Sequence, residues 1–199
     1  MNGNAKEILR AQALEARKHL GSEVRSDASR AVARRVAALD CFARARTVAL
    51  YAPFGSEVDP LSLTAIANAS SHRFAFPRIE KDARALAFAV CAPQDLVPGP
   101  FGTREPPGGA LTVALDELDL VLVPGVAFDL EGGRVGRGGG YYDATLSLLA
   151  LRTRRLGLAF EVQLVAQVPR EPHDGLLDGV VTEARTVLRG GAAQGPPVR

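Results

Sequence analysis

The sequence predicts an α/β fold in which a mostly parallel sheet is sandwiched by helices. Residues 118–123 are almost all aliphatic, which is typical of a central parallel strand buried on both faces. Predicted strands alternate with helical segments along the chain, as in folds that pack helices on a parallel sheet. Hydrophobic residues make up 47% of the 199 residues, enough to form a substantial core.

The N-terminal part of the chain predicts two helices, a strand and a third helix. Apolar residues recur at helical spacing within residues 6–20 and again within residues 24–39, which indicates two amphipathic helices. Residues 47–52 then predict a short buried strand. Asp59 is a suitable N-cap and Pro60 a suitable first-turn residue, so a further helix is expected from there to about residue 69.

The rest of the chain predicts further strands, one helix and a long loop. The predicted strands are residues 73–76, 86–90, 119–123, 155–160 and 179–182, and the predicted helix is residues 141–151. Five prolines and four glycines within residues 93–109 indicate a long loop over the surface. We expect residues 1–189 to form a single domain and the Gly-, Ala- and Pro-rich residues 190–199 to be disordered.

Composition argues against several classes of protein. The net charge of +2 gives no electrostatic argument for nucleic-acid binding. The N-terminus lacks the apolar segment of a signal peptide, and no apolar run is long enough to span a membrane. Cys41 and Cys91 lack metal-binding spacing, which fits a reduced setting. We expect a cytoplasmic monomer whose partners are small molecules.

Residues 124–143 are the most informative segment. A predicted strand precedes them and a predicted helix begins within them. Six glycines lie between Gly132 and Gly140, together with Arg134 and Arg137. A strand, a Gly-rich loop and a helix form the arrangement that binds phosphate, and arginines add fork-shaped donors. Asp143 adds a carboxylate, which beside a phosphate predicts a cation, so the segment indicates a nucleotide site with magnesium.

Two standard phosphate-binding patterns do not fit this segment. The P-loop pattern ends in Gly-Lys-Ser/Thr, and no lysine is present. The dinucleotide fingerprint starting at Gly136 would need a glycine where Tyr141 stands. On these residues alone, a flexible turn remains as well supported as a ligand site.

The chain resembles the 5-formyltetrahydrofolate cyclo-ligases, also called methenyltetrahydrofolate synthetases. The family pattern Pro-Gly-x-Ala-Phe-Asp, followed by Gly-x-Arg-Leu-Gly-x-Gly-x-Gly-Tyr-Tyr-Asp, matches residues 124–129 and 132–143, with Val135 in place of leucine. Other family segments occur in chain order, and they are Lys6-x-x-Leu9-Arg10, Tyr51-x-Pro53, Glu57-Val58-Asp59, Glu105-Pro106 and residues 177–183. The resemblance covers about residues 6–183.

The resemblance implies a fold of the sugar-phosphate-isomerase and CoA-transferase type and a specific reaction. An ATP- and magnesium-dependent ligase of this family closes 5-formyltetrahydrofolate to 5,10-methenyltetrahydrofolate and releases ADP and phosphate. The formyl oxygen takes the γ-phosphoryl group, N10 attacks the activated carbon, and phosphate leaves. The motif offers arginines, loop amides and carboxylates but no obvious Ser, Cys or His nucleophile, which suits phosphoryl transfer by positioning.

The resemblance also assigns roles to residues. The implied ATP contacts are Lys6, Arg10, Arg134, Val135, Gly136, Arg137, Gly138, Gly139, Gly140, Tyr141 and Tyr142. The implied folate contacts are Ala52, Glu57, Arg137 and Tyr141, and the implied magnesium ligands are Asp143 and Asp178. Arg137 and Tyr141 are the implied catalytic residues. Some family members carry lysine where Gly139 stands. The loop has one cation fewer here, so Arg137 is expected to contribute more of the positive charge.

Several of these residues have a structural alternative. Lys6 and Arg10 share one helix face, and most such pairs are solvated surface. Glu57 follows the first strand and could cap the next helix instead of binding a pterin, although Asp59 is better placed for capping. Asp178 precedes a glycine, and an Asp-Gly pair is usually a turn.

The tyrosines and histidines also have simpler explanations. Tyr141 and Tyr142 diverge by about 100° on a helix, so one can face a ligand while the other packs in the core. The histidines His19, His72 and His173 show no metal-binding spacing. His173 lies near Asp178, the C-terminal carboxylate of the implied magnesium pair. A loop position is nevertheless favoured for His173 over a catalytic role.

Two other functions stay open beside the ligase. One is a folate- or nucleotide-binding paralogue that has lost turnover, since a fold can outlast its activity. The retention of Lys6, Arg10, Asp143 and Asp178 favours the enzyme. The other is a sugar-phosphate isomerase, which would need a general base that nothing in the loop provides.

Overall fold

The structure, a computed structural model, describes residues 2–66, 72–171 and 174–189. Its helices are α1 (Asn2–Lys18), α2 (Ser22–Ala37), α3 (Asp40–Arg44), α4 (Leu63–Ile66) and α5 (Tyr141–Leu146). Its strands are β1 (Thr47–Ala49), β2 (Arg73–Arg78), β3 (Ala87–Val90), β4 (Val97–Pro98), β5 (Arg104–Glu105), β6 (Leu111–Val113), β7 (Leu120–Val123), β8 (Ala127–Phe128), β9 (Arg134–Val135), β10 (Arg154–Leu158), β11 (Gly179–Val181) and β12 (Thr186–Leu188).

The main sheet has eight strands in the order β12-β11-β10-β7-β1-β2-β3-β6. The central strands from β11 to β2 pair in parallel, while β12, β3 and β6 add antiparallel strands at the two edges. Two small ribbons, β4-β5 and β8-β9, stand apart from it. The mixed but mostly parallel α/β sheet confirms the predicted class of fold.

The sheet is buried on both faces. All four residues of β7 are fully buried, as their aliphatic side chains require of a central parallel strand. Alternate residues of β7 belong to two hydrophobic clusters, one on each face. The first cluster includes residues of α2, α3 and α4, and the second includes Leu146 of α5. The expected helices therefore cover both faces.

α1 and α2 cover most of their predicted ranges, α3 was not predicted, and the other two predicted helices are shorter than expected. The predicted helix over residues 141–151 ends at Leu146, because the last turn tightens. Leu148 N donates to Thr145 O at 3.0 Å, and the Ser147 hydroxyl donates to the Ala144 carbonyl at 2.8 Å. The predicted helix near residues 60–69 is Leu63–Ile66 in the described part, and residues 67–69 lie outside it.

The predicted surface loop over residues 93–109 needs correction. It contains the β4-β5 ribbon, and within it Leu96 and Glu105 are buried. Phe101 in the ribbon turn has φ 57°, an unusual value for a bulky side chain. The ribbon covers one side of a cavity beside the sheet instead of running over the outer surface.

Some expectations fall partly or wholly outside the described residues. The disordered tail predicted at residues 190–199 and the loop position of His173 lie there. Within the described residues, no helix is long and apolar enough to cross a membrane. Cys41 and Cys91 are free thiols, in line with their isolated positions in the sequence.

Candidate active site

A cavity of about 660 Å³ opens at the edge of the sheet beyond the carboxyl ends of β1 and β7. Ligands of open α/β sheets gather at this edge, because neighbouring parallel strands deliver their loops there. The lining residues that the sequence analysis singled out are Lys6, Arg10, Ala52, Glu57, Arg134, Val135, Gly136, Arg137, Gly138, Gly139, Gly140, Tyr141, Tyr142 and Asp143. Residues from opposite ends of the chain therefore meet in one cavity.

Residues 136–140, the glycine loop, form an open cradle on one wall of this cavity. Within the described residues, the amide groups of the glycine loop donate no hydrogen bond to other protein groups. Gly138 has φ 108° and Gly140 has φ 72°, a region that side chains other than glycine rarely adopt. Free amides on a glycine backbone are the donors that bind phosphate oxygens.

Arg134 and Asp143 form an ion pair beneath the glycine loop. Nη2 of Arg134 lies 2.6 Å from Oδ1 of Asp143, and the Arg134 side chain is only 4% exposed. A Cβ at Gly136 would lie 2.7 Å from Arg134 Nη1, so the loop backbone rests directly on this guanidinium. Arg134 thus supports the loop and fixes Asp143 from below.

Arg137 reaches from the glycine loop to the segment after β1. Its Nε donates to Oε1 of Glu57 at 2.9 Å, and its Nη2 donates to the Phe54 carbonyl at 3.0 Å. The guanidinium also lies 4.2 Å from the centre of the Phe54 ring, a cation–π contact. These contacts close one side of the cavity and bring Glu57 to the loop.

Glu57 faces the cavity and does not cap a helix. Its Oε2 accepts from the Phe54 amide at 3.0 Å, in addition to the Arg137 contact at Oε1. The turn before α4 is bonded by Asp59, whose Oδ1 accepts from Leu61 N at 2.8 Å. The capping alternative for Glu57 is therefore wrong, and Asp59 bonds the turn before α4 and does not cap a helix that starts at Pro60, because α4 begins only at Leu63.

A buried layer holds the Glu57 segment in place. The Tyr51 hydroxyl donates to the Val58 carbonyl at 2.8 Å, and burial raises the pKa of Tyr51 well above its ordinary value. Arg17 of α1 is 2% exposed, and its Nε donates to the Ser56 hydroxyl at 2.9 Å. Burial lowers the pKa of Arg17, while the Glu57 charge opposes that shift. Segments on both sides of Glu57 are thus anchored to the core.

Lys6 and Arg10 enter the cavity from α1. Arg10 Nε donates to the Gly136 carbonyl at 2.9 Å and so ties α1 to the glycine loop. Lys6 Nζ lies 2.6 Å from Glu171 Oε2 and 2.7 Å from Asp174 Oδ2. Burial opposes the charge on Lys6, but the bonds to Asp174 and Glu171 outweigh it and raise the pKa of Lys6. The alternative that both residues are solvated surface is wrong.

The side chains of Tyr141 and Tyr142 have different surroundings, as expected for adjacent residues on a helix. The Tyr142 hydroxyl is buried without a hydrogen-bond partner among the described residues, and burial raises the pKa of this phenol. The Arg134 guanidinium lies 5.8 Å from the centre of the Tyr142 ring. The Tyr141 ring packs against Gly139, where a Cβ would lie 3.1 Å from its Cδ2. A longer residue at Gly139 would need Tyr141 to shift.

Comparison with known proteins identifies the family. The sequence profile of the 5-formyltetrahydrofolate cyclo-ligase family matches residues 2–183. The chain belongs to this family. A 5-formyltetrahydrofolate cyclo-ligase of Mycolicibacterium smegmatis is 32% identical over 193 residues, which cover 94% of this chain and 98% of the relative. The enzyme of the same name from Escherichia coli K12 is 35% identical over 71% of this chain and 80% of its own.

Solved structures agree with this membership of the cyclo-ligase family. The NMR structure of the Aquifex aeolicus 5,10-methenyltetrahydrofolate synthetase is similar with a TM-score of 0.81 and 32% identity, covering 96% of each chain. A 5,10-methenyltetrahydrofolate synthetase from Mycoplasma pneumoniae shares the fold with a TM-score of 0.71 at 24% identity. It covers 89% of this chain and 98% of its own. The family resemblance drawn from the motifs is confirmed.

Asp178 is the predicted site residue that the structure does not bring into the cavity. It precedes β11, and its Oδ2 accepts from the Arg155 amide at 2.9 Å, while its own amide donates to the Arg155 carbonyl at 2.8 Å. These bonds join the starts of β10 and β11, at the end of the sheet opposite to the cavity. In this arrangement Asp178 supports strand pairing, and its pairing with Asp143 in a metal site stays a prediction.

Several residues that complete the cavity were not predicted from the sequence. Phe54 forms a cation–π contact with Arg137, while Glu171 and Asp174 form ion pairs with Lys6. The ribbon contributes Phe101, Thr103, Arg104 and Glu105. Phe54 directly follows the motif segment Tyr51-x-Pro53, and the acidic residues flank His173, so both lay beside positions already noted. Their partners are remote in sequence, and nothing in one chain alone connects them.

Proposed function

We propose that the protein is a ligase that converts 5-formyltetrahydrofolate to 5,10-methenyltetrahydrofolate with ATP and releases ADP and phosphate. The observation that carries this proposal is the joint presence of the free amides of the glycine loop and the Glu57 carboxylate in one cavity. Its volume of about 660 Å³ is within the range of pockets for small organic ligands. Family membership supplies the substrate class.

The nucleotide phosphates are proposed to bind at the glycine loop. Its amides supply donors, and Arg10 holds the loop through the Gly136 carbonyl without using all of its own donors. The contacts of Lys6, Val135, Gly138, Gly139, Gly140 and Tyr142 with ATP belong to the same proposal. Arg134 is buried under the loop and engaged with Asp143, so it stabilises the cradle and adds positive potential beneath the phosphates.

The folate is proposed to bind between Glu57 and Tyr141, beside Ala52. Both carboxylate oxygens of Glu57 already accept one bond, but each oxygen has two lone pairs and can accept a pterin N–H as well. The contact with Arg137 holds the carboxylate in place beside the cavity. This arrangement would place the formyl oxygen next to the transferring phosphate.

The reaction then needs charge stabilisation more than a protein nucleophile. The formyl oxygen attacks the γ-phosphorus of ATP, the bond to the β-phosphate oxygen breaks, and ADP leaves. N10 next attacks the activated formyl carbon and releases its proton to solvent, the carbon–oxygen bond breaks, and phosphate departs with that oxygen. Arg137 stands at the junction of loop and folate segment, where it can stabilise the charge on the transferring group.

Magnesium is part of the proposal through Asp143. Within the described residues, no group of three or more His, Cys, Asp or Glu side chains could enclose a metal ion. That fits magnesium beside nucleotide phosphates, which usually binds one or two carboxylates and completes its shell with phosphates and water. Asp143 Oδ1 is engaged by Arg134, and Oδ2 has no bond to another described residue. Asp143 alone therefore fits this role in the described geometry.

A substitution at Asp143 tests the magnesium role. Asp143→Asn removes a hard anionic ligand, so the magnesium concentration needed for half-maximal activity should rise several-fold while the fold is kept. To measure this, the initial rate is followed as magnesium is varied at saturating ATP and folate. Thermal unfolding of the variant serves as the control, because the Arg134 pair also weakens. If the magnesium concentration for half-maximal activity is unchanged, Asp143 serves only to position Arg134.

The direct test of the function is the absorbance of the methenyl product. The protein is mixed with 5-formyltetrahydrofolate, ATP and magnesium, and product, ADP and phosphate are followed together. We expect stoichiometric formation of all three and no turnover without ATP. Equal turnover without nucleotide would contradict the ligase reaction. Binding of both ligands without any product would support the non-catalytic paralogue instead.

Further features are proposed on the strength of the sequence and the family. They are a single domain over residues 1–189, a kinship of the sheet with the sugar-phosphate-isomerase and CoA-transferase fold, a monomeric state and a cytoplasmic location. Partners other than small molecules, such as nucleic acid or membranes, are not expected. Sedimentation at micromolar concentration would test the monomer, and a stable dimer would contradict it.

A further inference from the structure

Helix α1 carries three cationic side chains that face the same side of the helix. Lys6, Arg10 and Arg17 stand at helical spacing along it. Ala13 lies between them and packs in a cluster with residues of the β8-β9 ribbon. Lys6 and Arg10 line the cavity, whereas Arg17 is buried beside it. The proposed function uses Lys6 and Arg10 and gives Arg17 no part.

Arg17 joins two of the segments that form the cavity. Its Nε donates to the Ser56 hydroxyl at 2.9 Å, and its Nη1 donates to the Gly125 carbonyl at 3.4 Å. Ser56 directly precedes Glu57, the residue proposed to bind the pterin. Gly125 follows β7 and lines the cavity. Arg17 therefore connects the Glu57 segment, here residues 54–59, to the end of the central strand.

The buried charge of Arg17 is not explained by stability. Within the described residues, Arg17 forms no ion pair, and its two hydrogen-bond acceptors are neutral groups. Burial lowers the pKa of Arg17, while the charge of Glu57 opposes that shift. Burying a cation costs free energy, and an apolar side chain of similar size is often as stable or more stable. The arginine therefore points to a role in positioning its partners.

The spacing of Arg10 and Arg17 connects the two proposed substrate sites. Arg10 Nε donates to the Gly136 carbonyl of the glycine loop at 2.9 Å. Arg17 is seven residues further on, which is about two turns and about 10.5 Å along the helix axis. One end of this span holds the glycine loop, and the other end holds Ser56. α1 is thus a rigid connection between the nucleotide site and the folate site.

A second connection between these sites takes part in the chemistry and is less suited to fix their distance. Arg137 Nε lies 2.9 Å from Glu57 Oε1, but the Arg137 side chain is 44% exposed. The proposed reaction also gives Arg137 the transferring phosphate as a partner. The bond from Arg17 to Ser56 involves no reacting group, so it stays in place while Arg137 changes partners.

We propose that Arg17 is a positioning residue for the phosphoryl-transfer step. Through Ser56 it holds the Glu57 segment at a fixed distance from the glycine loop, so that the formyl oxygen of bound folate meets the γ-phosphate of bound ATP. This rests on the proposed function, because both substrates must be bound at once.

Such a role separates binding from the rate of the chemical step. Each substrate binds to one of the two connected parts, whereas transfer requires both parts at the correct separation. A misplacement of about 1 Å lowers the rate of such a step about 10²-fold. Loss of the connection should therefore lower kcat and leave both KM values nearly unchanged.

A matched control lies at the other end of the Glu57 segment. The Ser29 hydroxyl of α2 is buried and accepts from the Asp59 amide at 3.1 Å. Ser56→Ala and Ser29→Ala thus each remove one hydroxyl that fixes this segment. The hydroxyl of Ser56 is the one that bonds α1, so Ser56→Ala breaks the connection and Ser29→Ala keeps it.

The experiment measures ADP formation in a single turnover at saturating ATP and 5-formyltetrahydrofolate. Arg17→Met should lower this rate about 10²-fold. Ser56→Ala should lower it about tenfold, the loss expected for one hydrogen bond from a charged donor. Ser29→Ala should react as the unmodified protein does. The KM values for ATP and folate should change less than about threefold in every variant.

Two further variants test whether Arg17 acts through Ser56. Arg17→Lys keeps a donor and the charge but not the guanidinium fork, so its rate should lie between those of Arg17→Met and the unmodified protein. The double variant of Arg17→Met with Ser56→Ala should be no slower than Arg17→Met alone, because both changes break one connection. A further loss in the double variant would overturn the action through Ser56.

Other results would also overturn the positioning role. A raised KM for folate with an unchanged single-turnover rate would mean that Arg17 supports only folate binding. An equal loss of rate in Ser29→Ala would mean that any loosening of the segment slows the reaction. If Arg17→Met does not fold, Ser56→Ala is compared with Ser29→Ala, and equal rates of these two overturn the proposal. Absence of methenyl product from the unmodified protein would instead defeat the proposed function, which separates the two failures.

Discussion

The motif of residues 124–143 contains two glycine loops that differ in how their backbone is satisfied. In the turn at residues 129–133, Asp129 Oδ1 accepts from the amides of Glu131 at 3.0 Å and Gly133 at 2.7 Å. Asp129 Oδ2 also accepts from the amide of Val168 at 2.9 Å. The glycine loop of residues 136–140 makes no such bonds within the described part of the chain.

The difference lies in where each carboxylate is directed. Asp129 is buried inside its own turn and accepts from the amides of Glu131 and Gly133, so these donors are not available to a ligand. Asp143 lies next to the glycine loop but is held from below by Arg134. The loop amides stay free for that reason. Glycine content alone therefore does not distinguish a structural turn from a binding loop, whereas the partner of the nearest carboxylate does.

The largest expected effect tests whether the open loop carries catalysis. Arg137→Ala should lower kcat by about 10³-fold, as for arginines that stabilise a transferring phosphoryl group, with a smaller change in ATP binding. No lysine at position 139 is present to substitute for its charge. Single-turnover kinetics at saturating ATP and folate provide the measurement.

The contact between Arg137 and Glu57 requires a second variant for this test. If Arg137 only positions Glu57, the folate KM will rise, and the double variant with Glu57→Gln will lose no more than either single one. A normal chemical step with weaker ATP binding would instead make Arg137 a phosphate anchor. The catalytic cation would then have to be sought at Arg134.

The next effect concerns the closed turn and stability instead of catalysis. Asp129→Asn should lower the free energy of unfolding by roughly 1.5–3 kcal/mol, because charge-assisted bonds to buried amides are lost. Activity at a temperature where the variant is folded should change little. Urea unfolding of both proteins measures the difference. A large drop in kcat in a fully folded variant would contradict the division between the two loops.

The same variant predicts a dependence on pH. Burial opposes the charge on Asp129, but the amides of Val168 and Gly133 together with Arg170 outweigh it and hold the pKa of Asp129 below its ordinary value of 3.8. A lowered pKa contributes stability that is complete above the unfolded pKa and is lost as pH falls through the folded pKa. The stability gap between the two proteins should therefore be constant from pH 7 to about 5 and shrink below about 4. A gap that persists unchanged at lower pH would exclude the carboxylate as its source.

The parts of the fold that sequence predicts well are those with a local signal. β7 is an aliphatic run buried on both faces, and this burial leaves a continuous apolar segment in the sequence. β8, β9 and β12 have two or three residues each, too few to show a period of two. The pairing of these strands depends on residues that are distant in sequence, so the three strands were not predicted.

The same distinction holds in the candidate site. The glycine loop, its arginines and Asp143 are close in sequence and were predicted together. The contact of Lys6 with Asp174 joins residues 168 positions apart, and that of Arg137 with Glu57 joins residues 80 apart. Such pairs leave no mark in one sequence. The position of Asp178 at the far end of the sheet could not be predicted for the same reason.

A smaller effect tests the anchor of the open loop. Glu57→Gln should raise the KM for folate roughly tenfold to hundredfold, because a charge-assisted bond to the pterin is lost. The KM for ATP should rise less, since Arg137 keeps its bond to the Phe54 carbonyl. Initial rates with each substrate varied in turn supply the comparison. A fall in stability with unchanged folate kinetics would show that Glu57 serves only to hold the segment after β1.

The smallest effect isolates the backbone of the open loop. Gly138→Ala places a side chain at φ 108°, and the added Cβ would meet nothing closer than Arg10 Nη2 at 3.9 Å. The cost is therefore conformational, because a residue with a Cβ at this positive φ is about 1–2 kcal/mol less favourable than glycine. In a loop with no internal bonds this cost appears as a changed loop shape, so the KM for ATP should rise about tenfold while the melting temperature falls little. Gly109→Ala is the control, because its Cβ meets nothing within 4 Å and its φ is ordinary. A loss of stability in Gly138→Ala without a change in ATP kinetics would mean that the glycine loop is a structural turn like residues 129–133.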